Sequence, residues 1–135
     1  MGRPRVILLD THVVLWLSSD PHKLSGKARA AIEEERKNSA ALAISGITLL
    51  ELATMANKGR LQLTITLEAL LQELEARFLV LPITGRACVQ TVALPADYPK
   101  DPADRIIGAT ALVEGLALLT ADREIRKSKL VKTIW

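Results

Sequence analysis

The chain is short of several things, and each shortage removes a class of function. Its one cysteine, Cys88, rules out an internal disulfide framework and points to a reducing compartment. Two histidines, His12 and His22, leave no Cys/His cluster for structural zinc and argue against paired imidazole acid–base catalysis. Aromatics make up 3% (Trp16, Phe78, Tyr98, Trp135), too few for a platform that stacks bases as RRM or OB modules do. Long hydrophobic runs are missing too. The basic start, Met1 to Arg5, is followed by Val6–Leu9, which stops at Asp10 and is too short for a signal sequence. Position 6 is Val, not the Ser or Thr of a myristoylation motif. Ile106–Leu119 spans 14 residues and contains Glu114, whereas a membrane helix needs about 20. The expectation is a cytoplasmic protein with no membrane partner.

What remains is an ordinary globular composition, 49% hydrophobic and 24% charged over 135 residues, which predicts one domain, 1–135. The net charge of +3 permits a nucleic-acid partner without requiring one.

No internal repeat, low-complexity stretch or linker divides the chain. Apolar runs instead alternate with helical patterns. Val6–Leu9 reads as a buried strand, followed by a helix from about His12 to Leu17 that Asp20-Pro21 breaks. Ser25 caps a helix to about Arg36, in which Glu33 and Lys37 form an i,i+4 pair. Ala41–Ile44 is a strand, and Ser45 caps a helix to about Asn57 with Gly59 near its stop. Thr66 opens a helix striped by Leu67, Leu70, Leu71 and Leu74; Phe78–Leu81 is a strand; Thr84–Leu94 is helical. A loop with Pro95, Pro99 and Pro102 leads to an apolar helix, Pro102–Glu114, ended by Gly115. Ala117–Leu119, a short charged helix and Val131–Ile134 complete the series. This order predicts an α/β fold with a mainly parallel sheet of four to five strands covered on both faces, and a site at the carboxyl ends of the strands.

Four carboxylates occupy places that a parallel sheet can bring to one edge. Asp10 follows the first strand, and Asp122 follows the fourth; each either caps the next helix or faces a site. Glu51 lies inside an apolar helix with Ile47 and Met55 one turn away on either side. It is either a buried site carboxylate or an edge residue paired with a base such as Lys58. Asp104 stands at N3 of the helix opened by Asp101 and Pro102, at the positive end of the helix dipole. Carboxylates gathered at one sheet edge need a cation or a shared proton. Oxygen ligands without a Cys or a His pair favour Mg2+ or Mn2+, ions that engage phosphate, and phosphodiester hydrolysis is the matching reaction.

Four segments carry a likeness. Leu9-Asp10-Thr11-His12 with Trp16, Ile47–Ala53 followed by Lys58-Gly59-Arg60-Leu61, Asp101–Ala111, and Leu118–Asp122 occur in order along nearly the whole chain. Together they resemble the PIN domain, specifically the toxin of VapBC-type toxin–antitoxin pairs. The resemblance implies a three-layer α/β/α fold and an Mg2+- or Mn2+-dependent endoribonuclease. Its acidic site is Asp10, Glu51, Asp104 and Asp122, with Asp10 and Asp104 as principal metal ligands and Thr11, Thr120 and Arg105 in support. It also implies an RNA substrate, a homodimer and a cognate antitoxin whose extended segment lies near the site. The role of Asp101, cap or site residue, stays open.

Other residues have plainer readings. His12 is a helix-start residue or touches substrate; His22 is surface; Cys88 is core packing. Arg105 meets a phosphate or pairs with a site carboxylate. Five basic residues between Arg123 and Lys132 either guide RNA or form a solvated face. Two rival functions are a phosphotransfer or phosphatase α/β domain and a non-catalytic PIN-like interaction module. The first is disfavoured by His12, where a phosphatase wants a second Asp, and by the acid-free Pro82-Ile83-Thr84 after the third strand. The four acids disfavour the second. If they share one pocket, 11 acids remain against 18 basic residues, a body of +7 around an acidic hole.

Overall fold

Ile7-Leu8-Leu9 is apolar on both faces of a strand, so it must lie in the middle of a sheet covered on both sides. The computed structural model, which describes residues 6–38 and 41–135, shows that sheet. Its strands are β1 (Ile7–Leu9), β2 (Leu42–Ser45), β3 (Leu79–Leu81), β4 (Ala117–Leu119) and β5 (Thr133–Ile134), in the order β3-β2-β1-β4-β5. Every pairing is parallel, with Ile7 opposite both Leu42 and Ala117.

Alternate residues feed two cores. Ile7, Leu9, Leu42, Ile44 and Leu119 pack under α1 (Thr11–Ser19), α2 (Gly26–Lys37), α3 (Gly46–Asn57) and α4 (Leu67–Arg77). Leu8, Ala43 and Leu118 face α6 (Pro102–Glu114) and α7 (Arg123–Ser128) on the other side. α5 (Gly85–Ala93) packs along α6. Full burial of Leu8 and Leu9 stabilises the fold by about 2 kcal/mol each. The expected caps Ser25, Ser45 and Thr66 are in place, each accepting a main-chain N–H of the helix it opens, and Thr84, read as the first helical residue, caps α5 in the same way. Gly115 ends α6 in the left-handed region, at φ 66°.

The chain runs outward from β1 through β2 to β3, then returns to β4 beside β1. The connections therefore diverge at the carboxyl ends of β1 and β4, where open parallel sheets place their sites. Asp10 and Thr120 are the residues immediately after those two strands.

The leucine stripe of α4 belongs to the core, with Leu74 buried and Leu70 and Leu71 packed against it. Cys88, expected inside, is exposed. α5 turns Ala87 inward, leaving Cys88, Val89 and Val92 on its outer side. Among the described residues, no helix is long and apolar enough to cross a membrane.

Candidate active site

Asp10 is placed by the end of β1 and the start of α1. Its N–H bonds the Leu119 carbonyl of β4 at 3.0 Å, and its extended backbone (φ −66°, ψ 155°) sets the side chain to cap α1. Oδ1 accepts from the Thr11 N–H at 2.8 Å, and Oδ2 accepts from Thr120 Oγ1 at 2.7 Å. The residue is 4% exposed. Burial raises its pKa above the ordinary carboxylate value, the Thr120 and Thr11 bonds and the field of His12 oppose this, and the Asp122 charge adds to it.

Thr11 connects Asp10 to Glu51. While its N–H serves Asp10, its hydroxyl donates to Glu51 Oε1 at 2.5 Å. A hydroxyl has one proton, so in the contact between Thr11 and Thr48, 2.9 Å long, Thr48 is the donor. Thr48 lies one turn before Glu51 in α3 and is fully buried. The Glu51 pKa is raised chiefly by burial and also by the charges of Asp101 and Asp10; Thr11 and His12 pull it back.

Asp104, half-buried at the start of α6, moves furthest among the acids, from an ordinary value of 3.8 to about 7. Burial is the largest cause, followed by the charges of Asp10, Asp101, Asp122 and Glu51. All four sequence candidates therefore lie within one electrostatic field, and Asp101 shares it. Asp101 is also a cap, its Oδ1 accepting from the N–H groups of Ala103 at 2.9 Å and Asp104 at 3.2 Å. Asp122 caps α7 in the same way, through Oδ1 to Glu124 and Ile125. Thr120 joins the two strand ends, for its Oγ1 also accepts the Asp122 N–H at 3.1 Å. Asp101 and Asp122 are thus helix caps whose charges also reach Asp104.

The donor set is all oxygen and carries mutual repulsion that a proton or a hard cation relieves. Among the described residues, no three His, Cys, Asp or Glu side chains already close on one point as a ligand cage. An ion that fits here keeps water in much of its coordination sphere, as Mg2+ does.

Of the two readings of Arg105, the pairing with a carboxylate is not the one its guanidinium takes. Its two terminal nitrogens donate to the carbonyls of Leu94 (3.3 Å), Pro95 (3.1 Å) and Tyr98 (3.1 Å), which ties the proline-rich loop to α6. Among the described residues, neither terminal nitrogen pairs with a candidate carboxylate; the flat fork of the guanidinium suits three converging carbonyls. His12 is exposed, its ring 5.9 Å from that of Trp16. A cavity of about 920 Å³ lined by Val6, Glu35, Ala117 and Lys132 opens at the opposite edge of the sheet, by the strand starts, and holds none of the four acids.

Sequence reasoning missed two residues here. Thr48 had a signal, one turn before Glu51 on an otherwise apolar helix. Tyr98 is 1% exposed, and its hydroxyl rests against Gly108, one turn beyond Asp104.

Comparison with known proteins agrees with this frame. The family model described as PIN domain matches residues 7–129. Ribonuclease VapC22 of Mycobacterium tuberculosis is 40% identical over 131 residues, covering 96% of this chain and 98% of the relative. The DNA-bound VapBC structure from Salmonella typhimurium superposes with a TM-score of 0.71 at 23% identity, covering 97% of each chain. VapBC2 from Rickettsia felis, bound to a promoter DNA fragment, gives 0.71 at 17% identity, covering 95% of this chain and 96% of that one. These two likenesses support the fold. The matched family model, spanning nearly every strand and helix that builds the acidic edge, shows that the chain belongs to the PIN domain family.

Proposed function

We propose that this chain is a divalent-metal-dependent endoribonuclease, the toxin of a type II toxin–antitoxin pair, whose site is Asp10, Glu51, Asp104 and Asp122. The observation that carries the proposal is the bonding of Thr11 and Thr120, which fixes Asp10 and Glu51 at the carboxyl edge of the sheet, where burial and the like charges of Asp10, Asp101, Asp122 and Glu51 raise the pKa of Asp104. A carboxylate crowded by like charges gains most from a nearby cation. The 40% identity to a relative named as a ribonuclease supports the choice of RNA.

Asp10 and Asp104 would hold the ion directly, with Glu51 and Asp122 completing the pocket directly or through water. When bound, Mg2+ or Mn2+ activates a water and neutralises charge on the scissile phosphate. The chain's own contribution is placement. Thr120 and Thr11 fix both oxygens of Asp10, Thr11 orients Glu51, and the Asp101 cap holds the first turn that presents Asp104. The exposed bases beside Asp122, among them Arg123, Arg126 and Lys127, supply positive charge next to the acids, which suits a phosphate backbone.

We also read the protein as cytoplasmic, as one domain over 1–135, as a homodimer and as the partner of an antitoxin. The exposed Val89 and Val92 on α5 support a second copy; the solved relatives, titled as VapBC complexes, support the antitoxin.

The test is cleavage of cellular RNA by purified, antitoxin-free protein. Cutting with Mg2+ or Mn2+, arrested by EDTA and restored by excess ion, is expected. Absence of metal-dependent cutting of any RNA removes the catalytic reading and leaves an interaction module.

A further inference from the structure

Tyr98 is the chain's single tyrosine, and among the described residues its hydroxyl is the buried side-chain oxygen with no hydrogen-bond partner. Buried donors without acceptors are rare, and one in a native fold points to a bound water or ion as its partner. Packing alone does not account for the group, because phenylalanine would fill the same space without a stranded hydroxyl.

The residue is held firmly. Its N–H donates to the Pro95 carbonyl at 3.1 Å, and Arg105 donates to its own carbonyl at 3.1 Å. Its hydroxyl lies against Gly108, where an added Cβ would stand 2.1 Å from the phenol oxygen and 2.7 Å from Cζ. Gly108 follows Asp104 by one helical turn on the same face of α6. The hydroxyl therefore lies buried beside the turn of α6 that follows Asp104. Burial, with the charges of Asp104, Asp10 and Asp122, raises the phenol above its ordinary range, so it stays a neutral donor.

We propose that Tyr98 is a positioning residue of the acidic pocket: its hydroxyl donates to a buried water that in turn donates to the Asp104 carboxylate and fixes where that carboxylate points. This rests on the reading of the pocket as a divalent-cation site that cuts RNA.

The experiment combines Tyr98→Phe with wild-type protein carrying tyrosine labelled at 13Cζ, which gives a single resonance. Mg2+ is expected to shift that resonance. Tyr98→Phe is expected to keep the fold but lose about tenfold in both Mn2+ affinity and kcat, with KM for RNA unchanged. A variant with wild-type Mn2+ affinity and kcat overturns the proposal, whatever its melting temperature. Should the variant fail to fold, the wild-type spectrum decides: a resonance unmoved by saturating Mg2+, in a sample that cuts RNA, also overturns it. A wild type that neither binds Mn2+ nor cuts RNA overturns the function and the Tyr98 role together, which separates that failure from the loss of Tyr98 alone.

Discussion

Thr120 Oγ1 donates to Asp10 Oδ2 at 2.7 Å, joining residues 110 positions apart across the ends of two neighbouring strands. The bond lowers the Asp10 pKa against its burial. Thr120→Val keeps the shape and removes the donor. We expect a stability loss of about 1–2 kcal/mol in chemical denaturation and a drop in cleavage of about tenfold. Unchanged cleavage would show that Asp10 does not need this orientation.

Thr11 serves Asp10 with its N–H and Glu51 with its hydroxyl. In a double-mutant cycle, Thr11→Val and Glu51→Gln should therefore be non-additive, with a coupling of about 0.5–3 kcal/mol. Additive losses would separate Glu51 from Asp10.

Asp104 gives a pH dependence with a definite sign. Its pKa in the fold, about 7, lies above the ordinary 3.8, so the folded protein binds the extra proton between those values. Stability of the metal-free protein should therefore fall as pH rises from about 4 to 7, and flatten above. The ion competes with that proton, so Mg2+ affinity should rise about tenfold per pH unit below 7. Asp122→Asn removes one like charge and should move the midpoint of this dependence down. Calorimetric titration at several pH values checks both; a midpoint that stays put in the variant would remove Asp122 from the pocket.

Arg105→Lys should lower the melting temperature and kcat while leaving KM for RNA unchanged. A lysine cannot bridge the carbonyls of Leu94, Pro95 and Tyr98 as the guanidinium does. A rise in KM without loss of stability would restore Arg105 as a phosphate contact.

Gly108→Ala places a methyl against Tyr98 and should destabilise by about 1–3 kcal/mol. The added cost should shrink in a Tyr98→Leu background, measured by denaturation. An equal cost in both backgrounds would mean the clash lies elsewhere.

Much of this was legible in the residues because local chemistry and global fold agree. Pro102–Glu114 was read to its exact ends because Asp101, Pro102 and Gly115 are unambiguous cap signals. The second strand was read as Ala41–Ile44 and is Leu42–Ser45, since a cap serine can also pair as the last strand residue. Asp10 and Asp122 stand out by following strands, Glu51 by its place inside an apolar helix and Asp104 by opening one. What periodicity could not give was partnership. Whether Thr11 serves one carboxylate or two depends on how α1 meets α3, and Arg105 turns to a loop that only the tertiary fold brings within reach. Cys88 is misplaced because α5 turns its more apolar side outward, with Cys88, Val89 and Val92 exposed while Ala87 faces the core.

The most direct measurement is single-turnover cleavage of RNA as a function of Mg2+ concentration, for wild type and for Asp10→Asn and Asp104→Asn with folding checked by circular dichroism. The account predicts saturable Mg2+ dependence in the wild type and a loss of more than about a hundredfold in each folded variant. Cleavage by either folded variant within about twofold of wild type, at the same Mg2+ concentration, would contradict it.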